Sequence, residues 1–348
     1  MRVECPLGHE QVIQGLWRAA RRERLGHALL FSGPDGIGKF VAAQWLAAGI
    51  LCERGPGEPC GVCGSCKRVR ADSHADVFII DADDEGEEQI KLERITPRDD
   101  GEGPSVLEFL TLRAREGGWR IVLMRDAERL TGEAQNALLK MLEEPGERVL
   151  FVLTSAHEER LFATTLSRLV RVRFLPLDPA PVNELLRAQG MSADEALLFA
   201  RWSRGSPGRA RALRARGARE CVEIFGSVAR GAEDAAAAAM ALAELEGEWP
   251  AGTPTAQLRA RVRTILDLLL ELYLERERLH AGRAPGALAF GAELERWPGT
   301  PDSLRRSALD RCLEARQDVD RNLSPELCLE RALDTLARRV LARPAPTT

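Results

Sequence analysis

The segment GPDGIGKF, Gly33 to Phe40, carries the densest chemical signal in the chain. Gly33, Gly36 and Gly38 let successive backbone N–H groups wrap a phosphate, and Lys39 can reach its outer oxygens. A strand-like run before the segment and the helical VAAQWLAAGIL after it distinguish a phosphate loop from a chance glycine-rich turn. Turnover of a nucleotide needs two further oxygens for magnesium: a Ser or Thr after the lysine, and a carboxylate closing a neighbouring strand. The chain has Phe40 at the first place, and at the second the run IVLM leads into Arg125, Asp126, Ala127 and Glu128. ATP or ADP can dock on such a loop, with Asp126 nearby, but hydrolysis is not expected. Asp126 and Glu128 read more readily as caps or solvated residues at the start of the next helix than as catalysts.

Cys52, Cys60, Cys63 and Cys66 follow the spacing C-x7-C-x2-C-x2-C. Two-residue spacers fold thiolates back toward one ion, Gly61 and Gly64 permit the tight turns, and four thiolates at about 2.3 Å close a tetrahedral zinc shell. A closed shell leaves no position for substrate, so the expected role is structural. Reactive dithiols or plain packing are the alternatives. Cys5, Cys221, Cys312 and Cys328 stand apart and read as small buried hydrophobes.

These groups need a scaffold. Short apolar runs at 28–32, 77–81, 121–124, 149–155 and 169–174 alternate with helical stretches, the pattern of a parallel sheet with crossover helices. AQNALLKMLEEP is one such helix, stopped at Pro145, and Ala82 to Ser105 reads as a surface loop. After Pro176 strand signals vanish. Pro181 is expected to open a first helix, Ser192 to cap a second and GSPG at 205–208 to introduce a third. AAAAAMALAEL reads as helix, and from Thr255 to Arg343 the chain is helical again, with Leu258, Val262, Ile265, Leu266, Leu269 and Tyr273 on one apolar face. The tail ARPAPTT is expected to be loose.

A chain of 348 residues is long enough for two or three domains at ~150 residues each. Lys and Arg number 49 against 53 Asp and Glu, so no global positive field draws DNA or an anionic membrane to it. Aromatic residues at 5% are sparse for a base-stacking surface. Neither a signal peptide nor an apolar stretch of membrane-spanning length is evident, so a cytoplasmic location is expected.

The order HALLFSGPDGIGK, the four-cysteine insert, SHADVFIID, RIVLMRDAERLT, AQNALLKMLEEP and TTLSRLVRVRF, with NLSPELCLERAL near the end, resembles the bacterial clamp-loader AAA+ proteins of DNA polymerase III, and among them the delta prime type. The resemblance implies an α/β P-loop fold with a five-stranded parallel sheet in the order 5-1-4-3-2, followed by a helical lid and an all-α collar. It places a P-loop domain at 1–176 with its zinc module at 52–66, a lid at 177–216 and a collar at 217–348. It implies a five-subunit ring with delta and the ATPase subunits, which loads a sliding clamp on primed DNA. In the family an SRC sequence lends an arginine to a neighbour's ATP; here Ser167, Arg168 and Leu169 keep the arginine but not the cysteine. An arginine delivered across an interface stabilises phosphoryl-transfer charge, whereas the alternative for Arg168 is a surface ion pair. Thr154 takes the sensor position after the fourth strand, and Arg209 lies one position from the family's nucleotide-sensing arginine. His27 and His74 sit in family-like phrases and chemically read as packed or capping histidines.

Two rival readings share parts of this pattern. An active motor subunit of the same loader would need a Ser or Thr after Lys39 and an acidic pair closing the third strand, and Phe40 and Arg125 oppose both. A stand-alone zinc-containing DNA-binding protein draws on Lys67, Arg68 and Arg70 beside the cysteines, against the acidic total charge.

Overall fold

The computed structural model describes residues 6–22, 24–82, 89–97, 104–116, 118–249, 252–298, 302–321 and 323–337, without the side chains of 302–305 and 337, and the statements below concern these residues. The chain divides into two compact units, Met1–Gln189 with Gly205–Gly208, and Gly190–Arg204 with Arg209–Thr348.

In the first unit, strands β1 (Ala28–Ser32), β2 (Val77–Ile80), β3 (Arg120–Met124), β4 (Val149–Ser155) and β5 (Val170–Arg173) form one sheet in the order β2-β3-β4-β1-β5. Every pairing is parallel, with Ala28 opposite Phe151, Leu29 opposite Val170 and Ile121 opposite Leu150. The three inner strands are buried at every position because helices cover both faces, whereas the edge strands β2 and β5 are partly open. Side chains alternate between two cores. Leu29, Phe31, Ile121, Leu123, Leu150 and Val152 pack with α1 (Glu10–Arg21) and α2 (Lys39–Ile50). Leu30, Val122, Met124, Phe151 and Leu153 face the other layer. Each such fully buried side chain contributes ~1.5–3 kcal/mol.

The crossovers supply α3 (Gly64–Arg70), α4 (Val106–Thr111), α5 (Gly132–Glu143) and α6 (Ala163–Leu166), and α7 (Pro179–Ala188) follows the last strand. Helix α5 ends before Pro145, and its N-terminus is capped by the Thr131 hydroxyl, which accepts from Ala134 N–H. Helix α7 opens at Pro179 behind Asp178 rather than at Pro181, because either proline suits the first turn and the earlier one lies nearer the exit of β5. The span from Ala82 to Ser105 is not a plain surface loop. Its residues 83–88 and 98–103 lie outside the described ones, but Ile90 and Ile95 are buried in the second core, and Ser105 forms a capping box with Glu108 at the start of α4.

The second unit is helical: α8 (Ala193–Trp202), α9 (Pro207–Ala215, from Arg209 onward), α10 (Ala218–Ala229), α11 (Ala235–Ala243), α12 (Pro254–His280), α13 (Gly291–Leu294), α14 (Asp302–Asp320) and α15 (Pro325–Ala337). Ser192 caps α8, accepting from Glu195 N–H. In α12, Val262, Ile265, Leu266, Leu269 and Tyr273 are buried as the apolar face requires, and Leu258 is half-buried. The phenol of Tyr273 meets the Thr335 hydroxyl of α15 at 2.9 Å. Cys221, Cys312 and Cys328 are buried, as small hydrophobes would be, while Cys5 and the tail from Ala342 lie outside the described residues. Among the described residues no helix is long and apolar enough to cross a membrane.

Candidate functional site

Because the strands run parallel, the exits of β1, β3 and β4 share one edge of the sheet, and this edge gathers Gly33–Lys39, Arg125–Glu128 and Thr154. Gly36 and Gly38 take φ of 69° and 101°, the left-handed region that the tight loop demands. At Gly33 a Cβ would lie 2.2 Å from the carbonyl oxygen of Phe174. Lys39 is buried and donates to the carbonyls of Gly33 at 2.7 Å and Pro34 at 2.8 Å, with Asp35 at 3.8 Å. Burial pulls its pKa down, against the nearby carboxylates of Asp35, Asp126 and Glu128. The lysine thus spends donors on its own loop.

The loop is held from outside as well. His9 Nε2 donates to the carbonyl of Ile37 at 2.9 Å, and the Ser206 hydroxyl donates to that of Asp35 at 2.6 Å. Gly208 N–H donates to the Gly36 carbonyl at 2.8 Å, and a Cβ at 208 would come within 2.7 Å of Gly36 Cα. Asp35 and His9 were not singled out from sequence, and Ser206 and Gly208 stood out only as part of the GSPG that opens a helix, not as contacts of the loop. Asp35 lies inside the motif, but nothing local ties the others to the loop, which for Ser206 lies 171 residues away.

Phe40 and Arg125 pack on each other. The guanidinium carbon lies 4.1 Å from the ring centroid, and Nη1 reaches the buried Asp81 carboxylate at 2.5 Å. An aromatic ring and a cation therefore stand where a magnesium shell would need oxygens, and these two positions do not fit that ion. Asp126, with φ of 50°, donates its N–H to the Thr154 hydroxyl at 3.2 Å. Its carboxyl pKa rises to about 6, through burial first and then through Glu128 and Asp35. The expected capping role is corrected: Asp126 makes no side-chain cap, Glu128 accepts from Ala156 N–H at 2.9 Å, and the cap of α5 is Thr131. Asp126 and Glu128 instead join Asp35 in a carboxylate group spanning less than 4.8 Å, a counter-charge for Lys39.

Arg168 precedes β5 and so lies at the opposite edge of the sheet from the loop. Its guanidinium pairs with Glu143 at the end of α5 and donates to the Thr164 carbonyl at 2.8 Å and the Ser167 hydroxyl at 3.2 Å, leaving the side chain partly exposed. Arg209, in the second unit, pairs with Glu271 of α12. His27 Nε2 meets the Leu142 carbonyl at 3.0 Å. His74 is buried, accepting from Asp76 N–H at 3.0 Å and meeting the Ser65 hydroxyl at 3.0 Å.

The four cysteines converge. Cys52 follows α2, Cys60 and Cys63 lie in the loop, Cys66 sits in the first turn of α3, and their sulfurs all lie within 4.8 Å of one another. Cys63 N–H points to Cys60 Sγ and Cys66 N–H to Cys63 Sγ, both at 3.4 Å, bonds that favour thiolate. The N–H groups of Val62 and Cys63 bring the Cys60 thiol down to about 6, while burial raises Cys66. An all-sulfur set closing to roughly tetrahedral spacing fits a metal ion of the zinc class. Beside it Arg68 pairs with Glu116, so this cation is already engaged.

A family model described as "DNA polymerase III, delta subunit" matches residues 8–178. The chain is 30% identical to DNA polymerase III subunit delta' of Bacillus subtilis over 190 residues, 55% of this chain and 54% of that protein. It is 37% identical to the Pseudomonas aeruginosa subunit delta' over 212 residues, 60% of this chain and 62% of the relative. DNA polymerase III subunit tau of Escherichia coli is 33% identical over 181 residues, 52% of this chain and 26% of that protein. The chain thus spans about half to three fifths of the length of its curated delta' relatives. With the phosphate loop, the four-cysteine insert and the sheet order all inside the matched stretch, residues 8–178 carry the likeness to the bacterial DNA polymerase III delta' subunit family, relatives of the AAA+ clamp loaders.

Proposed function

We propose that the chain is a delta-prime-like clamp-loader subunit that does not turn over ATP. It acts as a scaffold in a five-membered cytoplasmic ring with delta and the ATPase subunits, and the ring places a sliding clamp on primed DNA. Its parts are a P-loop domain to 176, a lid to 216 and a collar beyond. The observation that carries this reading is the Phe40–Arg125 stack, which replaces both protein contributions expected in a magnesium shell. ATP or ADP binds, where it does, through the Gly33, Gly36, Gly38 and Lys39 loop, with Asp126 and Thr154 at its side. Cys52, Cys60, Cys63 and Cys66 hold one structural zinc. Arg168, at the edge away from the loop, serves a neighbour's ATP in trans after leaving Glu143. The likeness to tau supports the motor reading as the second candidate.

The test is reconstitution with the other loader subunits, clamp and primed DNA. We expect no magnesium-dependent ATPase from the isolated chain, and a complex whose turnover and clamp loading fall several-fold with Arg168→Ala, diluted by boundaries that still fire. Arg168→Lys should rescue poorly, because a point charge lacks the planar fork. Robust turnover by the chain alone, lost in Lys39→Ala, establishes the motor instead. An Arg168→Ala complex with unchanged ATPase removes the trans role.

A further inference from the structure

The first unit has a second concavity, at the sheet edge where β3 and β4 begin, away from the phosphate loop. Trp17, Leu25, Ile50 and Trp119 wall a cavity of about 560 Å³, and Arg21 and Arg148 stand at it. This volume falls within the range of ligand sites. The Trp17 wall is fixed: the ring rests on Gly49, where a Cβ would lie 2.4 Å from it, and it packs against Trp45 at 5.5 Å between centroids. Arg148 holds φ of 56°, and its guanidinium lies over Gly118, where a Cβ would come within 2.8 Å. Both arginines are exposed and neither forms an ion pair with a described residue, although much of the arginine surface of this chain is paired. Among the described residues the lining contains no carboxylate and no side-chain hydrogen-bond acceptor.

We propose that this cavity binds an acidic peptide segment of a partner protein, burying one large apolar or aromatic side chain between the tryptophans while flanking carboxylates pair with Arg21 and Arg148. An aromatic anchor in a desolvated pocket supplies affinity, and guanidinium forks select carboxylates. A nucleobase matches less well. Each carries an N–H donor that this lining leaves without a side-chain acceptor, and two cations are few for a phosphate backbone.

The test is fluorescence polarisation of fluorescein-labelled Gly-Asp-Asp-Phe-Asp-Asp-Gly titrated with the full chain. We expect saturable binding, weakened at least tenfold by Arg21→Glu, by Arg148→Glu and by replacing the peptide's Phe with Gly, and unchanged by Arg219→Glu, a charge reversal elsewhere on the surface. The two arginines lie on different segments, so either variant shown by circular dichroism to be folded suffices. Absence of saturable binding, equal affinity for the peptide with Lys in place of Asp, or insensitivity to both reversals overturns the proposal. Tighter binding of an oligothymidylate that responds to the same reversals also overturns it, in favour of a nucleic-acid site.

Discussion

Asp126 illustrates how one buried group sets a measurable pH dependence. Its folded-state pKa is raised from 3.8 to about 6. Below about pH 4 the carboxyl is protonated whether the chain is folded or not, and it adds nothing. Between about 4 and 6 the folded state keeps a proton that the unfolded state releases, so stability falls as pH rises, and above 6 the whole cost is present. Asp126→Asn should therefore stabilise the protein at pH 7–8 by roughly 1 kcal/mol, discounted for partial solvent screening, and the gain should vanish near pH 3.5. Urea midpoints across this range check it. Arg125→Ala acts in the other direction: it removes the cation above Phe40 and a partner of buried Asp81, and should cost roughly 1–3 kcal/mol at neutral pH. Equal urea midpoints for Arg125→Ala and the unmodified chain would mean that the stack does not hold the strand exit.

At the scale of elements, the segments before β2 and β3 are tied by one carboxylate. Asp76, fully buried, accepts from Arg115 N–H at 2.6 Å and Glu116 N–H at 2.7 Å, with Arg120 at 3.8 Å. Asp76→Ala orphans these donors and should destabilise the protein by about 2–4 kcal/mol, and Asp76→Asn by less, as read by denaturation. The five strands and most helices were legible because buried parallel strands write continuous apolar runs and helices write caps, as at Ser192. The burial of Ile90 and Ile95 was not legible, since a Gly- and Pro-rich neighbourhood hides two isolated core residues. In the candidate site the types and spacing of Lys39, Phe40 and Arg125 could be read directly. Their mutual stacking could not, because Phe40 and Arg125 meet only when β1 and β3 are placed in one sheet.

At the scale of the molecule, all four clustered cysteines belong to the first unit, and a metal held by them would also supply folding energy. Metal analysis of protein purified under reducing conditions should find about one zinc per chain, and calorimetry should show what its removal does. Chelation should lower the transition of the first unit by several degrees and leave the helical unit in place; Cys60→Ser with Cys63→Ser should mimic the chelator. A chain that keeps its zinc after both substitutions would refute the site. Gly205–Gly208 belongs to the first unit although the chain on either side belongs to the second. A protease that cuts once, between Gln189 and Gly190, therefore severs the chain between the first unit and the two residues, Ser206 and Gly208, that hold the carbonyls of Asp35 and Gly36. Expressed as residues 1–189 alone, the unit keeps its sheet and the His9 bond to Ile37 but loses the Ser206 and Gly208 bonds to Asp35 and Gly36, so nucleotide affinity measured on that fragment would describe a loop that the intact chain does not have.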